Sequence, residues 1–212
     1  MNYGPRIVRN GLIMALDAAD KNSYSGTGDT WVDLTGNGNN GQLINSPAFS
    51  NGLFSFNGST NYIDISNINF STGTYTIIGS SRYNGTPRGR IISGLNSNWI
   101  MGHWGGWTEN YYASAWVSSS SGSGNRDTNW RIFATTSDTV SNAYALYVNG
   151  NLKVNNANGR NGPNGLRIGT GGSGTTGEYS NGQCGFILAY NRILTEGEIL
   201  QNYNASKSRF GL

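Results

Sequence analysis

The sequence predicts an all-β fold, a sandwich of short strands closed by one short C-terminal helix. Three observations carry that prediction. Apolar and polar residues alternate in short runs bounded by Gly, Asn or Ser, as in "LFSF", "NYIDI", "TYTIIG", "WRIFAT", "AYALYVNGNLKV" and "LRIGT", which is the two-residue period of half-buried strands. The 212 residues include 32 glycines, with 12% aromatic and only 12% charged residues; that mixture suits many strands and turns and supplies too much burial for disorder. One helical pattern occurs, at the end of the chain, with no strand–helix alternation before it. A chain of this length fits one domain spanning residues 1–212.

The elements follow in order. The opening "MNYGPRIVRNGLIMALDAAD" has an apolar stretch from Leu12 to Leu16 that is too short for a secretion signal and ends at Asp17. No run approaches the length of a membrane span, so membrane insertion is not expected. Trp31 and Leu34 are followed by a run of turn-formers, Gly36 to Gly41. Gly and Asn accept left-handed backbone, so this is a tight reversal between extended segments, usable as a hairpin, an anion nest or a metal loop. Asn149-Gly150 between "YALYV" and "LKV" predicts a type I′ hairpin turn. The Ser/Gly run from Ser118 to Gly124 reads as a loop. Segment 169–174, "GTGGSG", has the G-x-G-x-x-G spacing, yet "TTGEYSNGQ" follows it instead of a helix, so it reads as an inter-strand loop and not a dinucleotide site. In "LTEGEILQNYNASKSRFGL", Thr195 and Glu198 form a capping box, and Ile199, Leu200 and Tyr203 fall on one face. Lys207 and Arg209 suit the C-terminal dipole, and Gly197 costs about 1 kcal/mol relative to Ala. The helix is short and depends on docking.

Several function classes fall away. The net charge is only +3, and Arg82, Arg88 and Arg90 are the nearest thing to a basic patch, so nucleic acid is not an expected partner. Cys184 is the lone cysteine; in "CGFILAY" it reads as a buried, inert thiol. His103 is the lone histidine, which excludes a zinc site, leaves no support for Ser-His or Cys-His catalysis, and suits a half-buried partner of the neighbouring aromatics. Glycoside hydrolysis needs two carboxyl groups across one cleft. Among eleven acidic residues the one pair at strand spacing, Glu196 and Glu198, lies in the helix cap. Asp17 and Asp20 sit beside a loop, and Asp64 has no acidic neighbour. No enzyme is expected, and no cofactor is required. Calcium is the metal that "DAADKNS" and "DLTGNGNNG" would suit, although turn geometry explains the same residues.

The richest composition lies at residues 98–117, "NWIMGHWGGWTENYYASAWV", with four Trp, two Tyr and the histidine. Aromatic side chains either fill a core short of Leu and Ile or present flat faces to a sugar or a protein. Gly105 and Gly106 between Trp104 and Trp107 read as a loop that exposes both rings. On that reading Arg82, Arg88, Arg90, Trp104, Trp107 and Tyr111 form the contact surface, combining rigid apolar area with bidentate donors.

The segments "GLIMALDAADKNSY", "TWVDLTGNGNNGQL", "FSFNGSTNYIDI" and "FILAYNRILTEGEILQNYNASKSRFGL" resemble a laminin-G-like, concanavalin A-like module of the kind found in tailed-phage virion proteins. The order of these motifs covers nearly the whole chain. The resemblance implies a jelly-roll sandwich of two antiparallel sheets, in which "TGNGNNG" is a structural reversal after the "W-x-D-L" strand. Some relatives hold calcium near such loops, but no ligand set transfers. It further implies a non-enzymatic virion structural or surface protein, a decoration or fibre component on the particle exterior. Its partners would be other virion proteins of capsid or tail, or further copies of itself. A free-standing chain from Met1 to Leu212, made in the host cytoplasm without a signal peptide, is expected. The alternative is a glycan-binding module that contacts a host surface, since such folds do not fix function.

Overall fold

The computed structural model of the protein describes residues 6–118, 122–172, 175 and 177–212. Part of the expected 118–124 loop and of the glycine segment 169–174 lies outside them. In chain order the first strands are β1 (Leu12–Asp17), β2 (Thr30–Trp31), β3 (Gly41–Ile44), β4 (Ala48–Ser50) and β5 (Leu53–Asn57). Then come β6 (Tyr62–Asn69), β7 (Thr74–Arg88), β8 (Ile92–Gly94), β9 (Trp99–Trp104) and β10 (Trp107–Ala113). The last are β11 (Arg131–Asp138), β12 (Ala143–Val148), β13 (Asn151–Asn156), β14 (Asn164–Ile168) and β15 (Ser180–Tyr190), followed by helix α1 (Glu196–Ser206) and a 3-10 turn, Lys207–Phe210.

These strands form two antiparallel sheets in a jelly-roll-like sandwich. One has eight strands in the order β13-β12-β11-β7-β15-β5-β4, with β1 also on β15. The other has seven, in the order β10-β9-β8-β14-β6-β3-β2. Strand alternation turns Trp31, Phe54, Ile63, Tyr75, Ile92, Trp99, Met101, Phe133, Leu166 and Ile187 into the layer between the sheets.

The eight-stranded sheet is apolar on its outer face too. Ile78, Ile132, Ala134, Phe186, Leu188 and Tyr190 form a second cluster there with Val8, Leu194, Ile199 and Phe210. Strand β15 serves both faces by alternation, and its register shift between Cys184 and Ile187 resets the parity so that both of these residues enter the inner core. The Ser80 hydroxyl accepts the amides of Gly185 and Phe186, each at 3.2 Å, and so holds that irregularity. Cys184 is fully buried, and burial pushes its thiol pKa up, as an inert core thiol requires.

The capping box is present: Thr195 Oγ1 accepts the Glu198 amide at 3.3 Å, and Glu198 Oε2 accepts the Thr195 amide at 2.9 Å. The docking face differs from the expected one. Ile199, Asn202 and Ser206 are buried, Tyr203 is half-buried, and Leu200 is 46% exposed. Asn202 explains the rotation. Its Oδ1 accepts the Val8 amide at 2.9 Å and the Tyr190 hydroxyl at 3.3 Å, so a polar side chain ties the helix to β15 and to the segment before β1. Lys207 caps α1 instead of lying in its last turn, and Arg209 pairs with Asp17 at 2.8 Å. Asn149 and Gly150, at φ 51° and 78°, make the type I′ turn between β12 and β13.

The "W-x-D-L" segment is a strand only as far as Trp31, because Asp33 turns inward. Asp33 is 4% exposed, and its carboxylate accepts the amides of Ala15 at 2.9 Å, Thr35 at 3.0 Å and Asn39 at 3.2 Å. Asn39 Nδ2 donates to the Ile13 carbonyl at 2.7 Å. The Gly/Asn reversal is therefore a clasp that fastens the connection between β2 and β3 onto β1. Asp33→Ala should leave several buried amides without an acceptor and cost about 2–4 kcal/mol, read as a lower urea midpoint with an unchanged slope. A variant as stable as the parent would contradict this role.

Candidate functional site

The second sheet presents the opposite situation. Its register places one residue from each strand in a single row: Thr30, Gln42, Asp64, Arg167, Ser93, Ile100 and Tyr112. Their neighbours Leu43, Ile63, Ile168, Ile92, Met101 and Tyr111 belong to the inner core, so the row faces outward. Arg167 holds Asp64 through two bonds of 2.6 and 2.7 Å and lies 4.3 Å from the centre of the Tyr62 ring. At mid-row, Ser93 Oγ donates to the Thr170 carbonyl at 2.7 Å, and both Ser93 and Ile100 are buried.

At the β10 end the row opens onto aromatic rings. Trp116 bridges back to Tyr112, with ring centres 5.0 Å apart, and stands 5.4 Å from Trp104. All three rings are half-buried. The Trp104 indole donates to Glu178 Oε1 at 3.0 Å, and the other oxygen of Glu178 pairs with the Arg90 guanidinium. Arg90 Nη1 donates to Asn98 Oδ1 at 2.7 Å. Burial pulls the Arg90 pKa down and its ion pair with Glu178 opposes that pull. The result is a cluster of three mutually inclined rings with a fixed polar fringe; a single ring face suits the C–H face of a sugar, and the fringe suits its hydroxyls.

The residues expected to form one contact surface are divided among four places. Trp104 and Arg90 do come together here, through Glu178, although Arg90 is 4% exposed and turned inward to its partners. Tyr111 is fully buried: its hydroxyl meets that of Tyr75 at 3.0 Å, and Tyr75 also accepts the Trp99 indole at 3.1 Å. It cannot contact a partner, and strand parity makes Tyr112 the outward member of the pair. Trp104 and Trp107 lie in strands, not in a loop; only Gly105 and Gly106, at φ 60° and 88°, form the turn. Trp107 is half-buried under Arg126, whose guanidinium lies 4.6 Å from its ring centre. Arg88 packs on Tyr83, beside the same turn. Arg82 belongs to the outer face of the other sheet, over Trp130. Trp116, Tyr112, Asn98 and Glu178 were missed. Period-2 counting through "NYYASAW" would have found Tyr112, whereas nothing in the sequence pairs Glu178 with a tryptophan 74 positions away.

His103 is fully buried, not half-buried, edge-on to Tyr83 at 4.6 Å and Phe133 at 5.2 Å, and burial holds its pKa down to about 3. It is a neutral core residue. Among the described residues, six of the eleven carboxylates are ion-paired: Asp17, Asp64, Glu109, Asp127, Glu178 and Glu198. Asp127 and Glu198 are held down to about 2 by Arg131 and Arg192, the reverse of the raised pKa of a general acid. No group of three or more His, Cys, Asp or Glu converges among the described residues. In the two loops that would suit calcium, Asp33 and Asp20 accept nearby amides.

No protein-family model and no curated protein matches this sequence. Solved structures share the fold. A Trypanosoma rangeli sialidase with 2,3-difluorosialic acid superposes over 97% of this chain with a TM-score of 0.71 at 16% identity, and the match covers 35% of the sialidase chain. The chain thus spans about a third of that enzyme's length. Domain 4 of AbnA, a GH43 extracellular arabinanase from Geobacillus stearothermophilus, in complex with arabinotriose, gives a TM-score of 0.65 at 17% identity, covering 91% of this chain and 98% of that one. The binding domain of Paraclostridial Mosquitocidal Protein 1 gives 0.64 at 14% identity, covering 92% of this chain and 52% of that one. These likenesses establish the β-sandwich fold.

Strand parity makes a direct forecast. Tyr111→Ala should cost about 3–5 kcal/mol as a buried aromatic deletion, and Tyr112→Ala about 1 kcal/mol or less as a half-exposed one. Chemical denaturation of both variants checks this, and equal losses would reverse the assignment of faces.

Proposed function

We propose that this protein is a non-catalytic carbohydrate-binding β-sandwich that seats a neutral saccharide ring on Trp104, Tyr112 and Trp116. The observation that carries the reading is the joining of three half-buried rings to a charge-neutral polar fringe on the sheet face that α1 does not cover. Neutrality matters, because Glu178 and Arg90 already satisfy each other and offer no net field to an ion. The matched arabinanase domain was solved with arabinotriose, which supports a saccharide as the ligand class. The tailed-phage resemblance supplies the setting: a protein on the particle exterior, attached to capsid or tail proteins or to copies of itself, whose aromatic face meets the host's glycans. The reading requires no cofactor.

Binding to a panel of neutral oligosaccharides, followed by calorimetry on the best ligand, tests it. Trp116→Ala and Trp104→Ala should each weaken binding about tenfold or more while the protein still unfolds cooperatively, and no reducing ends should be released from any glycan. Binding that survives in the double variant, or turnover of the bound glycan, would refute the proposal.

A further inference from the structure

The outer face of the eight-stranded sheet carries a different feature. A cleft of about 590 Å³ opens beside the β12–β13 hairpin, bounded by the segment before β11 and by the residues after α1. Three cations line it: Arg82, Arg131 and Lys153. Two of them are neutralised. Arg131 holds Asp127 through bonds of 2.7 and 2.9 Å, and Lys153 lies 3.5 Å from Glu109.

Arg82 has no carboxylate partner among the described residues. Its Nε donates to Gln183 Oε1 at 2.8 Å, and Gln183 Nε2 donates in turn to Ser55 Oγ at 2.8 Å. One face of the guanidinium lies over Trp130, 5.1 Å from the ring centre, and Phe210 backs that ring at 4.7 Å. Both Nη groups are left without a hydrogen-bond partner among the described residues. A braced guanidinium with its outer fork unused matches the two oxygens of a carboxylate. Thr128 and Asn129 line the same cleft; among the described residues their side chains have no hydrogen-bond partner, and they offer the donors and acceptors that sugar hydroxyls require. The volume lies in the range of small-ligand sites.

We propose that this cleft is a second binding site, which takes a carboxylate-bearing saccharide residue, with the carboxylate on the Arg82 fork and ring hydroxyls on Thr128 and Asn129. Uronic and sialic acids share this chemistry. The cleft shares no lining residue with the aromatic cluster of Trp104, Tyr112 and Trp116, so either site can fail without the other.

The test is calorimetry on the full chain with a uronic-acid oligosaccharide, a sialylated oligosaccharide, a neutral counterpart, inorganic sulfate and an acidic peptide, with amide NMR to locate each. At least one acidic saccharide should bind and shift amides of residues 128–131 and 149–153, while the neutral one leaves them in place. Arg82→Gln should weaken that binding about tenfold or more, Arg82→Lys should weaken it less, and Trp116→Ala should leave it unchanged. Equal binding of the neutral saccharide, or sulfate or the peptide binding the cleft as well as the saccharides do, would overturn the proposal, as would no amide shift with either acidic ligand. If Arg82→Gln melted early, the amide shifts of the parent protein would decide alone.

Discussion

From Cys184 to Tyr190 strand β15 has no solvent side, and much of the molecule follows from that. Cys184, Ile187 and Ala189 enter the layer between the sheets, and Phe186, Leu188 and Tyr190 enter the layer outside it. A strand apolar on both faces must be covered twice. The seven-stranded sheet covers one face. The other falls to α1, the turn after it and the segment around Val8, joined through Asn202 and the Tyr190 hydroxyl, which donates to the Val8 carbonyl at 3.0 Å. The capping box earns its place here, because it starts a helix that cannot lean on propensity. Covering that sheet leaves the outer face of the other as the broad strand surface open to ligand.

On the open face, charges are settled locally and apolar area is concentrated at one end. Asp64 with Arg167 and Glu178 with Arg90 are each held in place by their partners. Such pairs contribute little to stability; their value is to fix polar atoms beside flat rings. The shared sandwich agrees with several uses of one fold, and the aromatic cluster is what directs the reading toward a saccharide.

Much of the scaffold was legible because period-2 patterning and turn chemistry are local. The strands around "LFSF", "YIDI" and "WRIFAT", the Asn149-Gly150 turn and the Thr195–Glu198 box all depend on residues a few positions apart. The site was legible only in part. The stretch 98–117 stands out by composition, but Gly105-Gly106 reads as a loop that exposes Trp104 and Trp107 where the chain makes a tight hairpin between two strands. That error hid the parity that sends Tyr111 inward and Tyr112 outward. The helix face was misjudged for a related reason: Asn202 reads as a surface residue until its partners Val8 and Tyr190 are known. Arg90 looked like part of an exposed basic patch because its partner, Glu178, lies in a distant loop.

The six tryptophans sample every region on which this account depends. Trp31 and Trp99 lie in the inner core, Trp104 and Trp116 on the open face, Trp107 beneath Arg126, and Trp130 in the cleft. Recording the six indole N–H signals during titration with a neutral oligosaccharide therefore maps the ligand in one experiment. The account predicts that Trp104 and Trp116 shift together while Trp31, Trp99 and Trp130 hold still. Movement confined to Trp130 or Trp107, with Trp104 and Trp116 unchanged at saturation, would contradict it.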